Sequence, residues 1–251
     1  MNKKISMPLE ETLGVGQGKI RSSDHYKVYI NSVLETLENS QIGVNIGPIN
    51  TGVCCVADDL YLLTDCQVKL QCMLNIAAEY GRNYLYKFGA EKTVISVIGS
   101  NKDIEYYSQI NPWTMGNSPV TVKENNEHLG LIVSNVSEEA KNVDAKLQKA
   151  RRALFSLLGP VFASKCLLSP VVQTYLFKTF VCPIARSGLC AMTLQNHHLN
   201  DIAMFQKKAL RGFLHLSQRS PIPALFFLTG EIPIIAKLHR DIYAPCFTVF
   251  G

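Results

Sequence analysis

The stretch VCCVADDLYLL, residues 53–63, decides the fold. Apolar residues flank Asp58 and Asp59 on both sides, so the pair falls where two short strands turn back on each other. Val53, Cys55, Leu60 and Leu62 then anchor the hairpin. Two carboxylates held side by side over an apolar base cost free energy, because like charges raise each other's proton affinity and burial adds to the effect. The pattern points to a cation visiting the turn. Two readings stay open on these residues alone. Asp58 and Asp59 are solvated, since Asp is common in turns, or they hold magnesium, a hard cation that takes carboxylate, water and phosphate oxygens.

Outward from the hairpin, the spacing predicts helices on both sides. Upstream, DHYKVYINSVLETLEN (24–39) sets Val28, Ile30, Val33, Leu34 and Leu37 at mostly helical spacing, with Ser22 or Ser23 as cap and Asp24 suiting the first-turn dipole. A short strand over 42–46 and the loop GPINTG connect it to the hairpin. Downstream, Thr64 with Gln67 fits a capping box, and Leu70, Met73, Leu74, Ala77 and Tyr80 mark one helix face that Gly81 ends. Strands return in YLYKFGAEKTVISVIG (84–99), and VTVKENNEHLGLIVSN (120–135) holds two β-prone runs around an Asn-Asn turn.

Beyond Ser137 helical periodicity dominates, punctuated by Gly159-Pro160, Ser169-Pro170, Pro183 and the SPIP starting at Ser220. Val143, Leu147, Ala150 and Leu154 form an apolar stripe, with Lys146, Lys149 and Arg152 expected on another face. Lys207, Lys208 and Arg211 repeat the basic theme beside Ile202, Phe205 and Phe213. The expected architecture is α+β, in two parts: 1–136 and 137–251.

Composition sets bounds on the class. With 251 residues, 47% of them hydrophobic, the chain can build a substantial core. The net charge of +5 permits an anionic partner without demanding one. Lysines near the start are followed by no apolar stretch, and the longest uncharged runs are broken by Gly, Pro or Asn, so neither a secretory leader nor a membrane-spanning helix is expected. The expected setting is intracellular, cytoplasmic or nuclear. Eight cysteines show no CxxC pair and read as reduced packing residues; His197-His198 reads as a surface pair.

The order of motifs resembles the reverse transcriptase domain of non-long-terminal-repeat (LINE-type) retrotransposons. Gly14, Gln17 and Gly18 match its G-x-x-Q-G loop, and Ala57, Asp58 and Asp59 its alanine-Asp-Asp hairpin. Lys92-Thr93 resembles the Lys-Thr of the next motif and Leu129-Gly130 the Leu-Gly of the primer-grip hairpin, while FQKKALRGFLHL (205–216) and SPIPALFFLTGEIPI (220–234) look like the thumb and the segment after it. The resemblance runs from about residue 12 to residue 240.

It implies a partial polymerase palm, an antiparallel sheet with helices on one face, followed by an all-helical thumb. It also implies an RNA-directed DNA polymerase that adds deoxynucleoside triphosphates to a DNA 3′-hydroxyl on an RNA template. Asp58 and Asp59 become ligands of a two-magnesium centre. Gln17, Gly18 and Ala57 lie at the template base and incoming nucleotide, and Lys92 at the triphosphate. Lys146, Lys149, Arg152, Lys207 and Arg211 follow the duplex backbone.

The sequence departs from the family in several places. No Asp lies among the thirteen residues before Gly14, where the family's further catalytic carboxylate would precede the loop. Lys19, Ser22-Ser23, Val56 and Ala90 stand where other residues are usual. The expectation is a truncated reverse transcriptase domain, inactive as this chain. The alternative is a non-catalytic retroelement remnant that binds nucleic acid or a protein partner.

Overall fold

The computed structural model describes residues 19–109, 113–163 and 169–249. The fold is α+β, divided into two compact units. In the first, helix α1 (Ser22–Asn39) buries Ile30, Val33 and Leu37, while Val28, expected on the same stripe, faces solvent. Next come β1 (Asn45–Ile46) and β2 (Ile49–Asn50), a small hairpin, then β3 (Val53–Val56) and β4 (Asp59–Leu62), the carboxylate hairpin. The two hairpins are laced together: Val44 N donates to Leu63 O and Leu63 N to Gly52 O. Gly43 and Gly52 lie so close that a Cβ on Gly43 would sit 2.0 Å from Gly52 Cα, so only glycine fits.

Helix α2 (Gln67–Asn83) follows. Its start differs from expectation: Cys66 caps it without a side-chain bond, and Thr64 Oγ1 instead accepts from Cys66 N. Gly81 does not end the helix, which runs on to Asn83. Met73 and Tyr80 of α2 close a core with Ile30, Val33 and Leu37, and Val53, Leu60 and Leu62 of the carboxylate hairpin pack on it. The apolar side of that hairpin thus lies on α1 and α2, as the sequence pattern requires. Strand β5 (Val94–Ile95) comes next, and α3 (Asn101–Gln109) crosses the division between units. β6 (Thr114–Met115), β7 (Ser118–Pro119) and β8 (Thr121–Val122) complete the first unit, with β8 parallel to β5. Gln71 of α2 clips the start of β6, its amide donating to Thr114 O at 2.7 Å and accepting from Thr114 N at 3.1 Å.

Every sheet among the described residues has two strands. The antiparallel sheet expected from the sequence is represented among the described residues by separate hairpins, β3 with β4 in this unit among them, while β5 pairs parallel with β8.

The second unit takes in Ser96–Ile104 and resumes at Lys123 with β9 (Asn125–His128) and β10 (Leu131–Ser134), an antiparallel hairpin. Its turn lies at Leu129-Gly130, both at positive φ (+50° and +74°), not at the expected Asn125-Asn126, which pair within the ladder. Asn142 of α4 (Glu138–Ala163) fixes this hairpin by accepting from Ile132 N and donating to Ile132 O, at 2.8 and 2.7 Å. Along the chain the last division between the units falls between Val122 and Lys123, beside the sequence-based division at 136 and 137. Helices α5 (Pro170–Leu176) and α6 (Cys182–Arg186) flank a π-helical turn, Phe177–Val181. Then follow α7 (Asn196–Phe213), α8 (Ile222–Thr229) and α9 (Ile234–Val249). The expected stripe Val143, Leu147, Ala150 and Leu154 is buried, and it meets Phe177, Ile202 and Leu210 in one core. Among the described residues no single helix is long and apolar enough to cross a membrane.

Candidate carboxylate hairpin and basic helix faces

Ladder pairs Val56↔Asp59 and Cys55↔Leu60 leave Ala57 and Asp58 as a two-residue turn. Ala57 sits at φ +54°, the left-handed region that costs a residue with a Cβ roughly 1–2 kcal/mol. Backbone strain of this kind persists where the surroundings enforce it, and such positions concentrate at functional sites. Asp58 occupies the turn and Asp59 opens β4; both carboxylates are exposed. The cost foreseen for a buried acid pair is relieved by water on the outer side.

The base of the hairpin still feels the charges. The Cys55 thiol donates to Ala57 O at 3.4 Å, and burial, followed by the fields of Asp58 and Asp59, raises its pKa above the ordinary thiol value. Burial and a 2.9 Å contact with the Tyr86 hydroxyl raise the Tyr26 phenol as well, with smaller contributions from Cys55 and Asp58. A test follows from the sign. Between the ordinary and the raised value Cys55 stays a thiol, so iodoacetamide should label the exposed Cys54 and Cys72 well before it. In Asp58→Asn the lost negative charge lowers the Cys55 pKa, and its labelling accelerates. Unchanged Cys55 kinetics, followed by peptide mass mapping, would place Asp58 away from the thiol.

Lys92 is exposed in a turn leading into β5, where its N–H donates to Gly89 O at 2.8 Å. Gly14, Gln17 and Gly18 lie outside the described residues. The hairpin therefore carries three of the expected site residues, Ala57, Asp58 and Asp59.

The basic set separates by environment. Lys146 is buried, a departure from its expected place on a solvent face: its Nζ donates to Ser187 Oγ at 3.1 Å, and burial, reinforced by Lys149, pushes its pKa down. It turns inward because residues 142 and 146 share the α4 face that meets the β9–β10 hairpin and Ser187. Lys149 pairs with Glu127 at 2.9 Å. Arg211 donates to Ser220 O at 2.9 Å and is half-buried. Arg152 is exposed and Lys207 half-exposed, so these two present charge outward.

Magnesium can be tested against the donors present. Asp58 and Asp59 offer the right oxygen chemistry. Among the described residues, however, no group of three or more His, Cys, Asp or Glu comes together, so the donors do not complete a two-metal centre.

Two features escaped the sequence reading. One is a tyrosine cluster in the first unit: Tyr80 and Tyr84 stack at 4.6 Å, and Tyr80 also contacts Tyr29 and Tyr86. The alternation of aromatic and basic residues in YGRNYLYKF (80–88) is its only local signal. The other is a buried ion pair, Glu231 with Lys237, at the two ends of the otherwise apolar run EIPIIAK (231–237), where no spacing rule marks the two charges as partners. His198, expected at the surface, is buried, its Nδ1 accepting from Gln195 N at 3.4 Å. No family model, curated protein or solved structure matches the chain.

Proposed function

We propose that the chain is the palm and thumb portion of a non-long-terminal-repeat reverse transcriptase, persisting as an intracellular nucleic-acid-binding body and not as a working polymerase. The observation that carries this reading is the Ala57-Asp58-Asp59 turn: an exposed acid pair beyond a strained alanine, on a hairpin seated against the helices before and after it. Asp58 and Asp59 are the ligands on this side of a magnesium site, and Lys92 the cation for a triphosphate. A polymerase centre needs a further carboxylate that the described residues do not place beside the pair. RNA–DNA duplex is held by phosphate contacts from the helical unit, chiefly Arg152 and Lys207.

Two measurements on the purified chain test the two halves of this reading. Ferrous iron with ascorbate should cut the backbone near residues 55–60, and the double change Asp58→Asn, Asp59→Asn should abolish the cuts; cleavage spread evenly along the chain would remove the metal role. Affinity for an RNA–DNA hybrid should fall with salt at a log–log slope of about −2, as two phosphate contacts require. Arg152→Ala should reduce that slope by about 1. Lys146→Met should leave it unchanged, since a buried ammonium meets no phosphate. A flat salt response would refute phosphate binding.

A further inference from the structure

A groove of about 670 Å³ runs between α4 and α7 in the helical unit. Its floor is apolar, with Leu147, Leu154 and Phe205 buried, yet Phe155 is 67% and Met204 45% exposed beside it. Large apolar side chains flanking an open groove mark a surface that something covers.

The two helices run in the same direction. Ser187, just past the end of the run Pro170–Arg186, meets Lys146 on an early turn of α4, and α6 and the π-helical turn before it both pack on α4, so the run lies along α4 toward its later turns. Phe177 within that run packs against Phe213 at the end of α7, ring centroids 6.1 Å apart. The end of α7 therefore lies toward the later turns of α4, and the groove extends from Ala140 and His197 at one end to Phe155 and Gly212 at the other. That span is about 22 Å.

Charge along the rim is ordered. Asp144 on α4 and Asp201 on α7 flank one level; Arg151 and Lys208 flank another, each seven residues further on and on the same helix face. Arg151, Asp201 and Lys208 enter no ion pair among the described residues, and Asp144 accepts only from its neighbour Gln148, at 2.8 Å.

We propose that a second copy of this chain covers the groove, across a two-fold axis lying in the interface and crossing both helices near Leu147 and Met204. The axis lays α4 on its counterpart and α7 on its counterpart, each pair antiparallel. Asp144 then faces Arg151 of the partner subunit, and Asp201 faces Lys208 of the partner subunit, and the converse pairs form by symmetry. Size matches as well as charge. The same rotation sets the projecting Phe155 over the partner's Ala140, and His197 over the partner's Gly212. A polyanion would be repelled by half of this rim. A foreign helix has no reason to match both charge levels and both size pairs, whereas the face matches itself.

Sedimentation of the full chain, without nucleic acid, tests the proposal. The wild type should reach twice the chain mass, with an affinity that weakens as salt rises. Arg151→Asp with Lys208→Asp makes every rim charge negative, and Asp144→Lys with Asp201→Lys makes every one positive. Each of these variants alone should dimerise at least about tenfold more weakly, while their equimolar mixture forms a mixed dimer. Because all four positions are exposed, circular dichroism should show each variant folded. A wild type that stays monomeric, whether or not it takes up another helix in the groove, overturns the proposal. So does a reversed variant that dimerises as well as wild type, or a mixture that does not associate.

Discussion

Lys237→Met should destabilise the helical unit by roughly 3–5 kcal/mol, the usual consequence of removing one partner of a buried ion pair. The Glu231 side chain is wholly buried and that of Lys237 is 9% exposed, and their charged ends are in direct hydrogen-bonded contact. Lys178 also approaches Glu231, at 3.7 Å, but it is 58% exposed and its attraction is weakened by water. Without Lys237 the carboxylate would keep only that partner while remaining out of solvent. The location amplifies the effect. Glu231 follows Gly230, which turns the chain out of α8 at φ +59°, and Lys237 lies on α9, so the pair fixes the corner between two helices. Cys182 of α6 completes the cluster, 3.8 Å from the Lys237 ammonium. The double change Glu231→Leu, Lys237→Met should recover most of the loss, because apolar groups of similar volume need no counter-charge. Urea unfolding at constant m-value measures both. If single and double variants lose equal stability, the pair is not what holds the corner.

Much of this architecture was legible because local pattern and tertiary environment agree. The 53–63 run alternates around its acids and folds as a hairpin, and the 143–154 stripe is a helix face that meets a core on that face. Legibility failed where a distant partner decides the outcome. Lys146 and Lys149 look equivalent in sequence, yet one meets Ser187 in the interior and the other Glu127 at the surface. Asn125-Asn126 has good turn chemistry, but Leu129-Gly130 turns instead, since that placement lets Ile132 bond both ways to Asn142. Val28 has the spacing of a core residue, but α1 is covered on one side only. The candidate site divides along the same line. The acid pair and its turn are local and were visible. Which basic side chains remain available for an anion depends on contacts across the helical unit, which no spacing encodes.

Tyr80→Ala should cost the first unit about 3–5 kcal/mol, as large-to-small changes at buried aromatic positions do. Tyr80 is buried between α1 and α2 and belongs to the core that supports the carboxylate hairpin. Its hydroxyl donates to Tyr29 O, which ties α2 to the backbone of α1, while its ring stacks on Tyr84 and meets Tyr29 edge-on at 6.2 Å. Truncation to alanine would remove the packing, open a cavity and free the hydroxyl's partner. Tyr80→Phe should cost only about 1 kcal/mol, because it deletes the hydrogen bond and keeps the ring. The consequence for the site is specific. Val53, Leu60 and Leu62 rest on this core, so its loosening should raise hydrogen exchange in α1 and across the 53–62 ladder more than in α4 or α7. The backbone that holds Ala57 at positive φ would lose its support, and iron-directed cleavage around 55–60 should weaken even though both carboxylates remain. Cleavage at full strength in a destabilised Tyr80→Ala would mean that the acid pair gathers a cation without help from the fold beneath it.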